Sequence, residues 1–185
     1  MAESFQAHVD RHAILAFEKQ LHAYEVVGDR GWEVDLEAGT ISFDDDLKMR
    51  VALLGTEDEH GWAWGWADPD EEFPDAVVAV GRGLGDYGRE HDLAPLYEPE
   101  TPPGAEPLLD RIGVIASGVL GLQATYHAPL DGGGRVLFGL EHPSLALPEP
   151  DTERLFKIVR DSGFVSDWAA AQAAYEAVRG RCRRS

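Results

Sequence analysis

Apolar side chains recur every three or four residues at the start of the chain, a spacing that predicts a long amphipathic helix. Gly28 supplies a natural end for this helix, because glycine readily adopts the left-handed conformation found there. We therefore expect a helix from Glu3 to Val27. Its predicted apolar face carries Phe5, Val9, Ala13, Ala16, Phe17, Leu21 and Tyr24.

The pattern then changes to an alternation of apolar and polar residues, which predicts β-strands. Two short runs within residues 32–43 flank a Glu-Ala-Gly turn, and a third run spans residues 47–56. The fourth run has a tryptophan at every second position, so one face of that strand carries three indoles. These are Trp62, Trp64 and Trp66. We expect a four-stranded antiparallel meander with the indoles in the core, because a row of exposed indoles favours aggregation.

The same two periodicities predict the rest of the chain. We expect a helix over residues 73–91, a proline-rich loop, a helix over 105–120, a hairpin of 122–127 and 135–141, and helices over 152–161 and 168–179. Asp151 is the expected N-cap of the first C-terminal helix, and Ser166 or Asp167 that of the second. This order favours an α+β fold: a twisted antiparallel sheet of about six strands with helices packed on one face, plus a C-terminal helical segment.

The length of 185 residues fits one domain with an appended segment. We assign residues 1–143 to the α+β domain, 144–150 to a proline-rich linker, and 151–185 to a helical extension packed on or beside the domain. The sequence has neither a signal-peptide pattern nor a membrane-length apolar run, and we expect a cytoplasmic protein. The short alanine run at 169–171 is compatible with a monomer or a homodimer.

The net charge of the chain limits the classes of molecule that it can bind. The formal net charge is −18, which argues against binding to nucleic-acid backbones, because such binding depends on lysine and arginine. The same charge allows a basic protein partner, and it also suits a high-salt cytoplasm. The single cysteine, Cys182, excludes a disulfide within the chain and is interpreted as an incidental thiol.

Acidic residues are concentrated beside the tryptophans. From Glu57 to Asp75 every charged residue is acidic. These carboxylates either complement the dipole of the following helix or form an acidic rim that docks a basic partner. The rim residues are Asp68, Asp70, Glu71 and Glu72.

No residue set matches a catalytic signature, and we expect neither a cofactor nor a metal. Residues 83–88 match G-x-G-x-x-G, but no βαβ unit follows and the helical periodicity continues through them. His8 and His12 have a ligand-like spacing without a third ligand. The carboxylate runs at 44–46 and 57–59 lack the spacing of a calcium loop.

Several motifs together resemble an uncharacterised bacterial family, a domain of unknown function. The resemblance rests on the hairpin that begins at Trp32, on Trp64-Gly-Trp-Ala-Asp-Pro69 at a strand end, and on Tyr126 ahead of Val136-Leu-Phe138. It covers residues 5–141 and leaves the C-terminal segment outside. It implies a similar order of elements, and it implies no activity or catalytic residue.

Two functions remain open from the sequence. The first is a non-enzymatic, acidic protein-interaction module, with an immunity or chaperone role as one form of it. The alternative is a small-molecule-binding or hydrolytic protein with an aromatic pocket around the tryptophan strand. Trp62, Trp64, Trp66, Tyr126 and His127 would line that pocket, with Asp68 as the nearest carboxylate.

Overall fold

The computed structural model describes residues 3–44, 46–68, 72–104 and 107–182, with side chains as far as residue 180. The helices in these ranges are α1 (Phe5–Val27), α2 (Asp75–His91), α3 (Ala94–Tyr97), α4 (Leu109–Val119), α5 (Thr152–Asp161) and α6 (Trp168–Cys182). The strands are β1 (Trp32–Asp35), β2 (Thr40–Phe43), β3 (Leu47–Asp58), β4 (Gly61–Trp64), β5 (Glu100–Thr101), β6 (Ala124–Pro129) and β7 (Arg135–Glu141). The α+β fold with an antiparallel sheet is confirmed.

Local capping accounts for several helix ends. The Ser4 side chain accepts a hydrogen bond from the Ala7 amide at the start of α1, and Gly28 ends that helix with a φ of 61°. The Asp151 side chain caps α5 as predicted. Asp167 accepts from the Ala170 amide at 3.0 Å, so it is the second of the two predicted caps that serves α6. None of the helices in the described ranges combines the length and apolar character needed to cross a bilayer.

The sheet branches at β3, which corrects the predicted meander. Arg50 pairs with Thr40 of β2 on one side and with Glu141 of β7 on the other. Gly55 likewise pairs with β4 on one side and β7 on the other. The long strand β3 therefore carries β2 and β4 in succession along one edge. On the opposite edge its residues 50–57 pair with β7, which in turn pairs with β6.

A bulge in β3 separates the two halves of the branch. The register with β7 shifts between Leu53 and Gly55, which leaves Leu54 as the extra residue and bends the strand. Glycine is required after the bulge, because a Cβ on Gly55 would lie 2.2 Å from the Ala63 carbonyl oxygen and 2.6 Å from the Trp62 ring. The bend and the missing side chain together let the Trp62 ring lie across the strand.

The tryptophan strand is shorter than predicted. It ends at Trp64, and Gly65–Ala67 form a 3₁₀ turn, so Trp66 is not on the strand. Side-chain packing takes the place of strand hydrogen bonds at this point. The Trp66 ring stacks on Trp64 at 6.2 Å and lies against Gly81 of α2. The proline-rich segment after α2 also differs from the predicted loop, since it contains α3 and the short strand β5, which pairs with β4.

The buried apolar side chains of the described residues form three clusters. The largest joins α1, α2 and α4 to β4, and the second lies between the C-terminal end of α1 and the strands β2, β3, β6 and β7. The third joins α1 to α5 and α6. Tyr24 belongs to none of them: its side chain is 56% exposed, so its predicted place on the buried face of α1 is wrong.

Candidate functional site

Trp62 and Trp64 lie in the core. Each is 1% exposed, and their rings meet edge to face at 5.2 Å. The Trp64 indole nitrogen donates to the Pro95 carbonyl at 3.2 Å. Trp66 is partly buried against the same cluster. Two of the three indoles are therefore held inside the protein, where a ligand on the surface does not reach them.

The predicted acidic rim is seen only in part. Asp68 and Glu72 are exposed, whereas Asp70 and Glu71 lie outside the described residues. Glu57 has a structural contact: its carboxylate accepts from the Leu108 amide at 2.5 Å and the Leu109 amide at 3.3 Å. Carboxylates suit this place, because the first amides of a helix have no partner within the helix.

Three aromatic residues from separate elements meet at the surface, and we call them the aromatic seam: Tyr24 of α1, Trp32 of β1 and Tyr126 of β6. Trp32 and Tyr126 contact each other edge to face at 6.3 Å. In the described sheet, β1 pairs only with β2 and β6 only with β7. The sheet therefore curls until two of its edge strands, β1 and β6, touch through these rings.

The seam combines apolar and polar character. Trp32 is 36% exposed, and Tyr24 and Tyr126 share a cavity of about 180 Å³ with Val27 and Leu140. Burial, followed by the neighbouring Tyr24, raises the pKa of Tyr126 above its usual value. Tyr126 therefore keeps its proton at neutral pH and can donate a hydrogen bond.

Carboxylates border the seam on the side of Trp32. Glu33, Asp44 and Asp46 line the same surface concavity as the indole, together with Lys48. Arg30 pairs with Asp46 at 3.4 Å. Acidic groups thus outnumber basic ones around the exposed ring.

His127 follows Tyr126 on β6, and its side chain is exposed. It borders two cavities, the one beneath the seam and a cleft between α1 and α4. Of the residues predicted to form one aromatic pocket, Tyr126 and His127 thus lie together at α1. The structure does not bring them together with Trp62 or Trp64, which are enclosed in the core.

Other predicted candidates have structural environments. Residues 83–88 lie inside α2, so their glycines belong to a helix and not to a phosphate-binding turn. His8 is 1% exposed, and its Nδ1 lies 2.7 Å from the Tyr87 hydroxyl. The His12 ring lies under Gly118 of α4. Within the described part of the chain, no group of three or more histidine, cysteine or acidic side chains is arranged to hold a metal ion.

Buried charges on α1 connect this helix to its neighbours. Glu18 pairs with Arg179 of α6 at 2.9 Å. Lys19 donates to the carbonyl oxygens of Ser117 and Leu122, at 2.7 and 2.6 Å. Burial lowers the pKa of Lys19 to about 8. These groups connect α1 to α4 and α6, although Oε2 of Glu18 and Nε of Arg179 are buried without a hydrogen-bond partner among the described residues.

Comparison with known families matches most of the chain. A family of unknown function, DUF6882, matches residues 6–143. The chain belongs to this family. No curated protein matches the chain, and no solved structure matches it. The family match ends before α5, so α5 and α6 lie outside the matched region.

The aromatic seam was difficult to predict from the sequence. Trp32 appears in the predicted hairpin, and Tyr24 has the spacing of a buried helix position. One signal was available. Trp32 begins a strand that also contains Glu33 and Asp35, and charged strands of this kind are typical of a sheet edge.

Proposed function

We propose that this DUF6882 member is a non-enzymatic protein-interaction module whose aromatic seam binds a basic, arginine-containing segment of a partner protein. The observation that supports the proposal is the exposed Trp32 ring, bordered by carboxylates, in a chain of net charge −18. Guanidinium groups stack on aromatic rings and pair with carboxylates at the same time. An immunity or chaperone role in the cytoplasm is one form of this function.

The composition of the seam also suits a protein partner. Tyrosine and tryptophan are enriched at the centres of protein interfaces, because they bury a large area with few rotatable bonds. Arginine on the partner side complements them. A second copy of this chain fits less well, since two surfaces of the same strong negative charge repel each other.

Calorimetry with synthetic peptides tests the proposal. The probes are decapeptides of alternating arginine and serine, lysine and serine, or glutamate and serine, at 150 mM salt. We expect the arginine peptide to bind more tightly than the lysine peptide, and no binding of the glutamate peptide. Trp32→Leu and Glu33→Gln should each lower the affinity for the arginine peptide at least fivefold.

Matched variants separate the seam from general charge attraction. Tyr97→Leu changes an aromatic residue of α3, and Glu59→Gln removes an exposed carboxylate from a different turn. Both should bind the arginine peptide as the natural chain does. Equal affinity of the Trp32→Leu variant and the natural chain, or no binding of either basic peptide, would overturn the proposal.

A further inference from the structure

A second cavity lies on the other side of His127. This cleft, which we call the α1–α4 cleft, lies between α1, α4 and the hairpin of β6 and β7, and its volume is about 230 Å³. Its walls are mainly apolar. They come from Ala16, Phe17, Val114, Leu137 and Phe164. The cleft is large enough for a compact molecule, since a cavity of about 150 Å³ already holds benzene.

The packing of the fold does not require a glycine at position 113, beside the cleft. A Cβ on this helical glycine would meet Thr125 Oγ1 at 3.5 Å and Leu137 at 3.6 Å, which are ordinary contacts. By contrast, a Cβ on Gly118 would lie 2.1 Å from the His12 ring. Alanine would stabilise α4 by roughly 1 kcal/mol relative to glycine in a helix interior. Glycine at position 113 therefore keeps space open at a cost in helix stability.

The polar groups of the cleft are suited to a cation. Gln20, Asp110, Thr125 and His127 line it, and each has an atom able to accept a hydrogen bond. Asp110 supplies the negative charge. Its ion pair with Arg135 is long, at 3.7 Å, whereas Glu57 contacts the same arginine at 3.1 Å. The Asp110 side chain is 47% exposed and can accept from a further donor.

Phe164, between α5 and α6, closes one wall. The Gln6 side chain donates to the Phe164 carbonyl at 3.2 Å, and the Arg111 guanidinium lies 5.5 Å from the centre of the ring. Phe17 contacts the same ring edge to face at 5.8 Å. The wall is therefore a fixed ring supplied by the C-terminal extension, and it limits the width of any ligand.

We propose that the α1–α4 cleft binds a compact primary amine with a flat or branched hydrocarbon body, the ammonium group lying at Asp110 and the body against Phe164. This site is independent of the partner proposed for the aromatic seam. It places the small-molecule alternative in a cavity that does not involve the tryptophan strand. The chemistry is recognition of a cation by an acceptor-rich mouth and of an apolar body by the walls.

Titration with three probes that share a benzyl group tests the site. The probes are 2-phenylethylamine, ethylbenzene and phenylacetate, added to the full chain at 150 mM salt while the backbone amide resonances are followed by NMR. We expect saturable shifts at Gly113 and Thr125 with the amine. Ethylbenzene should bind at least threefold more weakly, and phenylacetate at least tenfold more weakly.

Variants give the test its specificity. Asp110→Asn should weaken 2-phenylethylamine at least fivefold, whereas Asp86→Asn, which changes an exposed carboxylate on α2, should leave its affinity unchanged. Gly113→Val should remove binding by filling the cleft. Gly113→Ala, which the space admits, should weaken binding while the chain stays folded.

Two results would overturn this site. One is amine binding that Asp110→Asn and Gly113→Ala both leave unchanged. The other is a set of shifts spread over acidic surfaces and absent from α4. Neither result bears on the aromatic seam, because the arginine peptide is expected to shift resonances near Trp32 and not those at Gly113.

Discussion

The Asp10 carboxylate of α1 holds Ser166 at the entrance to α6. One oxygen accepts from the Ser166 amide at 2.9 Å, and the other accepts from the Ser166 hydroxyl at 2.7 Å and the Asp167 amide at 2.9 Å. Burial raises the pKa of Asp10, but the hydrogen bonds from Ser166, Gln6 and Asp167 outweigh it, and the pKa lies below its usual value. A side chain 156 residues away in the sequence thus fixes the two residues that precede α6, one of which is its N-cap Asp167.

Replacing this carboxylate should destabilise the protein. We expect Asp10→Asn to lower the free energy of unfolding by about 1–3 kcal/mol, because charged hydrogen bonds are lost and a buried amide donor replaces an acceptor. Urea unfolding measures the change. Asp86→Asn is the control, with an expected change below about 0.5 kcal/mol at its exposed site. An unchanged midpoint for Asp10→Asn would contradict the proposed contribution of these hydrogen bonds to stability.

Two helical glycines should respond in opposite ways to alanine. At Gly118 the new Cβ would lie 2.1 Å from His12 Nδ1, so we expect a loss of about 1–3 kcal/mol from overpacking. At Gly83 the nearest atom, on Leu120, is 3.6 Å away, and alanine should add about 0.5–1 kcal/mol. Thermal unfolding of the two variants gives the comparison, and a stabilised Gly118→Ala would show that His12 lies elsewhere.

His12 should make the protein less stable in acid. Burial, with help from the charge of Arg11, lowers its pKa from 6.5 to about 4 in the folded chain. Between these values the unfolded chain binds a proton that the folded chain does not, so stability falls as the pH drops from 6.5 to 4. The full shift corresponds to about 3 kcal/mol.

The measurement for His12 compares the natural chain with His12→Gln. The difference in unfolding free energy between the two should change by up to about 3 kcal/mol between pH 7 and pH 4. Other titrating groups cancel in this difference. The ring resonances of His12 should titrate near pH 4, and a midpoint close to 6.5 would refute the burial argument.

Fluorescence should separate the seam from the core. Trp62 and Trp64 are enclosed, whereas Trp32 is 36% exposed. We expect Trp32→Phe to remove a large part of the emission that acrylamide quenches, and Trp62→Phe to remove emission that acrylamide does not reach. Strong quenching of the Trp62 signal would mean that β4 is not covered by the helices.

Long periodic segments were predictable from the sequence. Helix α1, helix α2 and the hairpin of β6 and β7 appear where the spacing of apolar residues predicts them. The branch at β3 was not predictable. The alternation of apolar and polar residues shows which side chains share a face of a strand, but it does not show which strands pair along its edges. Trp66 left the strand because stacking on Trp64 and packing on Gly81 outweigh continued pairing.

The candidate sites were less predictable than the fold. Tyr126 and His127 were expected beside the tryptophans, yet they lie at α1, because the β6 hairpin pairs with the edge of β3 opposite β4. Asp110 and Phe164 carry no local signal, since they come together only after α4 and the C-terminal segment have packed. Sites built from distant elements depend on topology, which composition and periodicity do not encode.

Glu18 and Asp10 lead to an expectation about which members of the family carry acids at these two positions. Their carboxylates are buried. Arg179 and the amides at 166–167, which donate to them, lie beyond the region that DUF6882 matches, whereas Gln6, which also donates to Asp10, lies within it. A relative that lacks α5 and α6 loses the Arg179 partner of Glu18 and keeps only Gln6 as a donor to Asp10, so an acid at either position is less well satisfied there. The extension and the two carboxylates should therefore be gained and lost together, so that acids at these two places in α1 identify the relatives that carry the C-terminal helices.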